Sequence, residues 1–289
     1  MTGTRVATAA VLIPFAVGVV LWAPTWALAL AVAIVMLLAL FEYFALGDAI
    51  GHRAYRFWTA TCALALVYDQ WRAAIEPSYS LGAVSFPSIL GRVFIPTVQD
   101  VFFLFVLGVT ALTLWTKRPI VEALPAAGIS ASGLILVAFP LTFTVRLHGI
   151  RAEGPWLLMF ALVITWVGDT SAYFAGGAFG KHHIAPKISP NKTWEGAIAS
   201  ILGALIVAVV FAKYVLAVPL PHLLAMAAAA NVAGQMGDLL ESAYKRSAGV
   251  KDSGSLLPGH GGVLDRIDAL ILAIPVVWYY WIWIYLPNR

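Results

Sequence analysis

Apolar segments of about 20 residues recur along the whole chain, each long enough to cross the hydrocarbon core of a bilayer. Lipid offers backbone N–H and C=O groups no partner, so a spanning segment must be a helix or part of a closed barrel. The runs are continuously apolar, without the two-residue alternation of a barrel strand, and they read as helices. Composition agrees: of 289 residues, 61% are hydrophobic and 11% are charged, against roughly 25% charged in soluble domains.

Hydropathy places about nine spans, near residues 5–22, 25–44, 56–69, 101–116, 125–145, 155–176, 196–217, 220–243 and 267–286. The fold class expected is therefore all-α, a polytopic integral membrane protein. The opening segment has the apolar run of a signal peptide. Only Arg5 precedes that run and a second run follows at once, so it reads as an uncleaved first span. The stretch from Gln70 to Asp100 is the longest polar connection, with room for an interfacial helix. A cytoplasmic N-terminus puts twelve of the 18 Lys and Arg residues in cytoplasmic connections, as the positive-inside rule requires. With that orientation the loops 177–195 and 244–266 open on one face and are able to build one site. No internal repeat or soluble domain interrupts the pattern. We divide one integral membrane domain into N-terminal spans (1–150) and a C-terminal region (151–289) carrying the polar motifs. The net charge of +4 comes without a basic stripe interleaved with aromatics, which argues against nucleic acid. The lone Cys62 excludes an intrachain disulfide and reads as a buried, inert thiol.

The first polar loop lies in Gly168–Ala197, GDTSAYFAGGAFGKHHIAPKISPNKTWEGA. Asp169 falls inside the sixth span, where a carboxylate faces either a polar cavity or a bond to a neighbouring helix. GAFGK is not a phosphate-binding loop of the GxxxxGK[ST] kind, because Ala175 and His182 occupy two required positions. The adjacent His182 and His183 lack the helical spacing of metal ligands. In Ser189-Pro190-Asn191-Lys192-Thr193-Trp194-Glu195-Gly196, Asn191 or Thr193 is suited to cap the seventh span, whose free N–H groups attract anions. Lys192 adds a point charge for phosphate. Glu195 in the first turn suits the helix dipole.

The second polar loop, Ser242–Asp268, packs Lys245, Arg246, Lys251 and Arg266 among aspartates and a His-Gly-Gly turn. Cations beside carboxylates at a membrane surface suit a metal-bound polyphosphate. Asp238 and Glu241 are three residues apart, on one helix face, and Asp265 and Asp268 repeat the spacing. Hard oxygen donors of this kind suit Mg²⁺; the plainer alternative for Asp265 and Asp268 is capping of the ninth span. Glycines in Pro258-Gly259-His260-Gly261-Gly262 let backbone N–H groups approach a ligand. His260 either donates to a phosphate, moves a proton, or braces the turn.

These residues resemble the phosphatidate cytidylyltransferase (CDP-diacylglycerol synthase) family. Its signature is met by Ser242-Ala243-Tyr244-Lys245-Arg246, Lys251-Asp252, Pro258-Gly259-His260-Gly261-Gly262 and Asp265-Arg266-Ile267-Asp268. Tyr244 is one departure, where the family has an aliphatic residue or Phe. The SPNKTWEG loop after an intramembrane Asp is also similar, so the resemblance covers roughly 155–275. It implies CTP and phosphatidic acid giving CDP-diacylglycerol and pyrophosphate in a bacterial plasma membrane, with the site facing the cytoplasm. It also implies Mg²⁺, with K⁺ as a second cation, and a homodimer. By that resemblance the metal ligands are Asp238 and Asp265, with Asp268 beside them. Lys192, Arg246, Lys251, His260 and Asp265 are the expected catalytic residues. Ser189, Asn191, Lys192, Thr193, Glu195, Lys245, Arg246 and Asp169 are expected to bind substrate.

The residues suit that chemistry. A phosphate monoester has a second pKa of about 6, so phosphatidate is already nucleophilic near neutrality. The task is to bring two polyanions together, which needs cations more than a strong base. A CTP-dependent lipid kinase shares the broader superfamily but would release CDP, and the full HGG-x-x-DR-x-D signature disfavours it. An archaeal CDP-archaeol synthase differs only in its lipid. A secondary transporter would explain intramembrane aspartates, but it requires paired repeats and interrupted helices that the sequence lacks.

Overall fold

The computed structural model describes residues 2–75, 96–256 and 261–288. It is a helical membrane protein. In chain order the long helices are α1 (Thr2–Trp22), α2 (Thr25–Ala49), α3 (Arg56–Ile75), α4 (Val98–Trp115), α5 (Ala123–Ser132), α6 (Phe139–His148), α7 (Gly154–Phe179), α8 (Trp194–Tyr214), α9 (Leu220–Ser247) and α10 (Leu264–Tyr280). A π-helical turn at Gly133–Ala138 joins α5 to α6, and another at Trp281–Tyr285 prolongs α10. Among the described residues seven helical stretches are long and apolar enough to cross a membrane: 25–49, 98–115, 120–148, 154–179, 194–214, 220–247 and 264–285. Each of the expected spans lies on a helix. Those at 5–22 and 56–69 fall on α1 and α3, outside the seven.

One departure from an all-helical chain is a short antiparallel pair, β1 (His183–Ala185) with β2 (Ser189–Thr193). Little in the sequence announces it, because Pro190 and the glycines before it mask so brief a pairing. Cys62 is buried as expected. Of the polar connection 70–100, Gln70–Ile75 continue α3, and the interfacial helix proposed there falls outside the described residues.

Helix starts follow their local chemistry. Thr97 and Asp100 form a capping box for α4, with Asp100 Oδ2 accepting from Thr97 N at 2.9 Å. Thr193 Oγ1 accepts from Gly196 N at 3.2 Å and caps α8. Pro155 and Pro221 stand in the first turns of α7 and α9, where the N–H has no intrahelical partner.

Two apolar clusters fill the interior. One is built mainly from α7, α8, α9 and the middle of α10, with Phe143, Leu157, Phe160, Leu223 and Trp281 buried. The other joins α2, α3 and α4 to the α5–α6 segment, around Met36, Leu40, Phe44, Leu66 and Leu134. Helix α10 serves both: Ile274 and Val277 face the first, and Leu264 and Ile271 face the second. Polar bonds add register between α8 and α9. Asn231 Nδ2 donates to Ser200 Oγ at 3.0 Å and Gln235 Nε2 to Ala197 O at 3.3 Å, contacts of the kind that fix helix pairs in lipid.

Candidate active site

The site forms where the C-terminal ends of α7 and α9 meet the N-terminal ends of α8 and α10. Helices α9 and α10 approach closely because Gly237 has no side chain: a Cβ there would lie 2.5 Å from the Asp268 carbonyl oxygen. That approach brings the pair Asp238 and Glu241 against the pair Asp265 and Asp268. Asp268 sits in the electrostatic field of Asp238, Glu241 and Asp169, and Asp169 in that of Asp238 and Lys192. Five carboxylates thus share one neighbourhood, although Asp169 comes from a different helix.

Two lysines enter this acidic cluster. Lys192 Nζ, at the end of β2, is buried and lies 2.5 Å from Asp238 Oδ2, without the alignment of a hydrogen bond. Lys245 Nζ donates to Asp265 Oδ1 at 2.6 Å and lies 2.5 Å from Glu241 Oε2. Lys245, Glu241 and Asp265 side chains are only 12%, 6% and 5% exposed. Both Glu241 oxygens are buried without an aligned hydrogen-bond donor.

The two polar loops are joined directly. Arg246 Nε donates to Ile188 O at 3.1 Å, in the turn between the strands, and its Nη1 to Val250 O at 3.3 Å. Of the residues expected to bind substrate, Ser189 is half-buried in β2, while Asn191 is exposed beside Lys192. Thr193 is the cap, which settles the choice between it and Asn191. Glu195 turns back on the loop: its Oε2 accepts from Lys181 N at 3.2 Å and His182 N at 3.3 Å, and its Oε1 is 2.6 Å from His182 Nδ1. Lys251 is exposed at the surface. Pro258, Gly259 and His260 lie outside the described residues.

Asp265 is more than a charge in the cluster. Its carboxylate also accepts from Ser253 N at 3.0 Å and Gly262 N at 2.8 Å, and so draws in the segment that carries the His-Gly-Gly turn. Gly261 has φ +79°, a left-handed conformation natural to glycine. Neither Asp265 nor Asp268 caps the first turn of α10. Asp268 Oδ1 accepts from the adjacent Ala269 N. The Val263 and Leu264 N–H groups donate instead to Glu42 of α2, at 2.9 and 2.8 Å, and Ser253 Oγ donates to Glu42 Oε2 at 3.0 Å.

Sequence reading missed Glu42 and Ser253. A signal was available for the first: Glu42 is the sole charged residue between Arg5 and Asp48, and an ionisable side chain inside a span marks function by default.

The donor set bears on which metal fits. Among the described residues no three His, Cys, Asp or Glu side chains converge into a ready-made cage. Mg²⁺ does not need one, because it keeps waters and binds through one or two carboxylates plus substrate phosphates. Hard oxygens of Asp238, Asp265 and Asp268, in excess over the two lysines, fit such an ion.

A polytopic helical membrane protein whose acidic cluster is threaded by lysines at the ends of four helices is the class these features define. The chain belongs to the cytidylyltransferase family, whose profile matches residues 3–284. It is similar to the phosphatidate cytidylyltransferase of Haemophilus influenzae, 36% identical over 185 residues, 59% of this chain and 60% of the relative. It is also similar to the phosphatidate cytidylyltransferases of Staphylococcus saprophyticus and Bacillus subtilis. These are 44% identical over 132 residues and 41% over 139, covering 45% and 47% of this chain and 51% of each relative. The chain thus spans about half to three-fifths of the length of the curated relatives it matches.

Proposed function

We propose that this protein is a phosphatidate cytidylyltransferase. CTP and phosphatidic acid would give CDP-diacylglycerol and pyrophosphate. The observation that carries the reading is the meeting of two distant motif loops: Lys192 on Asp238, and Arg246 on Ile188, beside the Lys245–Asp265 pair. Family membership and the names of the relatives support the same reaction.

In this reading a phosphatidate phosphate oxygen attacks the α-phosphorus of CTP. A new P–O bond forms, the α–β bridging P–O bond breaks, and the pair of electrons leaves with pyrophosphate. Lys192, Arg246 and Lys251 neutralise the phosphates so that the two anions are able to approach. Ser189 and Asn191, with the capped N-terminus of α8, orient CTP. Lys245 holds Asp265 in place, and Asp169 faces the lipid head group. Asp238, Asp265 and Asp268 would hold Mg²⁺, which supplies Lewis-acid stabilisation of phosphate charge when bound. His260 would assist at the phosphates. The finer topology belongs to the same reading: nine spans, a cytoplasmic N-terminus, the site on the cytoplasmic face, and residues 1–150 supporting the catalytic region 151–289.

The test is turnover of detergent-purified protein with phosphatidate, CTP and Mg²⁺, following pyrophosphate and lipid product. Stoichiometric pyrophosphate and CDP-lipid are expected, lost in Asp265→Asn and retained in Lys117→Ala, whose side chain is exposed and outside the motif loops. Release of CDP with a phosphorylated lipid alcohol would replace the reading with a lipid kinase. An Asp265→Asn variant as active as the parent would remove Asp265 from the metal set.

A further inference from the structure

The geometry points to Glu42 as a positioning residue of the site: from the N-terminal half of the chain, its carboxylate clasps the segment that presents Asp265. The inference rests on the cytidylyltransferase reading for its catalytic consequence, and on distances alone for the clasp.

Helices α4 and α8 are capped by side chains one turn away, Thr97 and Thr193. Among the described residues helix α10 has no such N-cap side chain at its start. Its first N–H groups, Val263 and Leu264, donate to the two oxygens of a carboxylate more than 220 residues earlier in the chain, and Ser253 Oγ donates to that carboxylate as well. A cap that served α10 alone would need only the first two bonds. The third joins both ends of the stretch 253–264 to one group, as a clasp joins the ends of a strap.

Ser253 transmits this to the cluster. Its hydroxyl donates to Glu42 while its N–H donates to Asp265, and the Gly262 N–H donates to Asp265 too. Asp265 in turn holds Lys245. The fit around Glu42 is close. A Cβ on Gly262 would meet Glu42 Oε2 and one on Gly254 would meet Glu42 Oε1 at 2.7 Å, so two signature-region glycines leave room for the carboxylate. Glutamine cannot reproduce the arrangement. Its single amide oxygen would serve one side, and its NH₂ would face a backbone or hydroxyl donor on the other.

The experiment compares Glu42→Gln, Ser253→Ala and the double variant with the parent protein in detergent. Backbone hydrogen exchange over 252–266 is read without substrates; kcat and KM are read with CTP and phosphatidate. Faster exchange in that stretch is expected in Glu42→Gln, with kcat down about 10- to 100-fold, the scale of an ångström-sized misplacement of reacting groups. KM for CTP should move less than about threefold, since the interaction lost is one that positions rather than binds. Ser253→Ala, which removes one bond and threatens the fold least, should show a smaller loss in the same direction. The double variant should be no worse than Glu42→Gln alone, because both act through one contact. Parental exchange and kcat in Glu42→Gln would overturn the proposal, as would additive losses in the double variant. A parent protein inactive with CTP and phosphatidate would sink the reaction assignment, and the exchange data would then decide the clasp by themselves.

Discussion

Lys245 is held between two carboxylates, Glu241 one turn earlier on its own helix and Asp265 on α10, with all three side chains nearly closed to the outside. A buried ion set like this contributes little by comparison with apolar packing, but removing one member leaves the others uncompensated, at about 3–5 kcal/mol. Lys245→Met should therefore lower the unfolding midpoint markedly, because Glu241 and Asp265 would then repel each other in a poorly solvated place. The double variant Lys245→Met with Asp265→Asn should recover part of that loss while remaining inactive. Thermal unfolding in detergent reads both. A single variant as stable as the parent would mean that the carboxylates rearrange freely around a missing cation, contrary to the close packing seen.

Between elements, the determining contact is α9 against α10 at Gly237. A side chain there meets backbone, the Asp268 carbonyl, and backbone cannot turn away as a flexible side chain does. Gly237→Val should cost about 1–3 kcal/mol, as overpacking generally does. It should also lower turnover out of proportion to the loss of stability, since it parts Asp238 and Glu241 from Asp265 and Asp268. Activity measured well below the unfolding midpoint separates the two effects, and parental turnover in a destabilised Gly237→Val would uncouple helix spacing from chemistry. The i, i+3 carboxylate pairs on these helices were legible from spacing alone, as was the helical membrane character, because lipid forces continuous apolar runs into helices. The two-stranded pair was not, since three to five residues around a proline carry too little pattern. Nor was the Glu42 clasp: nothing local to Val263 or Leu264 announces a cap that arrives from α2, and Ser253 looks like any loop serine until its two bonds are seen.

At the scale of the whole molecule, one face gathers the charge. Arg118 Nη1 donates to Arg53 O at 2.6 Å, Arg56 pairs with Asp48, and His52 Nδ1 lies 3.2 Å from Glu122 Oε1. These groups sit at the C-terminal end of α2, the N-terminal end of α3 and the segments that follow α4. Glu42, also on the C-terminal half of α2, ties that end to the start of α10. The basic ends of the N-terminal helices and the acidic cluster therefore open on the same side, and under the proposed reaction a water-soluble nucleotide would arrive from there. The proposed topology, drawn from the positive-inside rule, puts that side in the cytoplasm, and labelling tests it. The native chain has one cysteine, Cys62, and it is buried, so in a Cys62→Ser background single reporters are clean. Ser255→Cys, at an exposed position, should react with a membrane-impermeant maleimide in inverted vesicles and not in intact spheroplasts. Arg151→Cys, exposed between α6 and α7, should react in the opposite pattern. Exchange of the two patterns would turn the whole protein over in the membrane and remove the site from the CTP pool. Labelling of both from one side would mean that one of α7, α8 and α9, which lie between the two positions, does not cross.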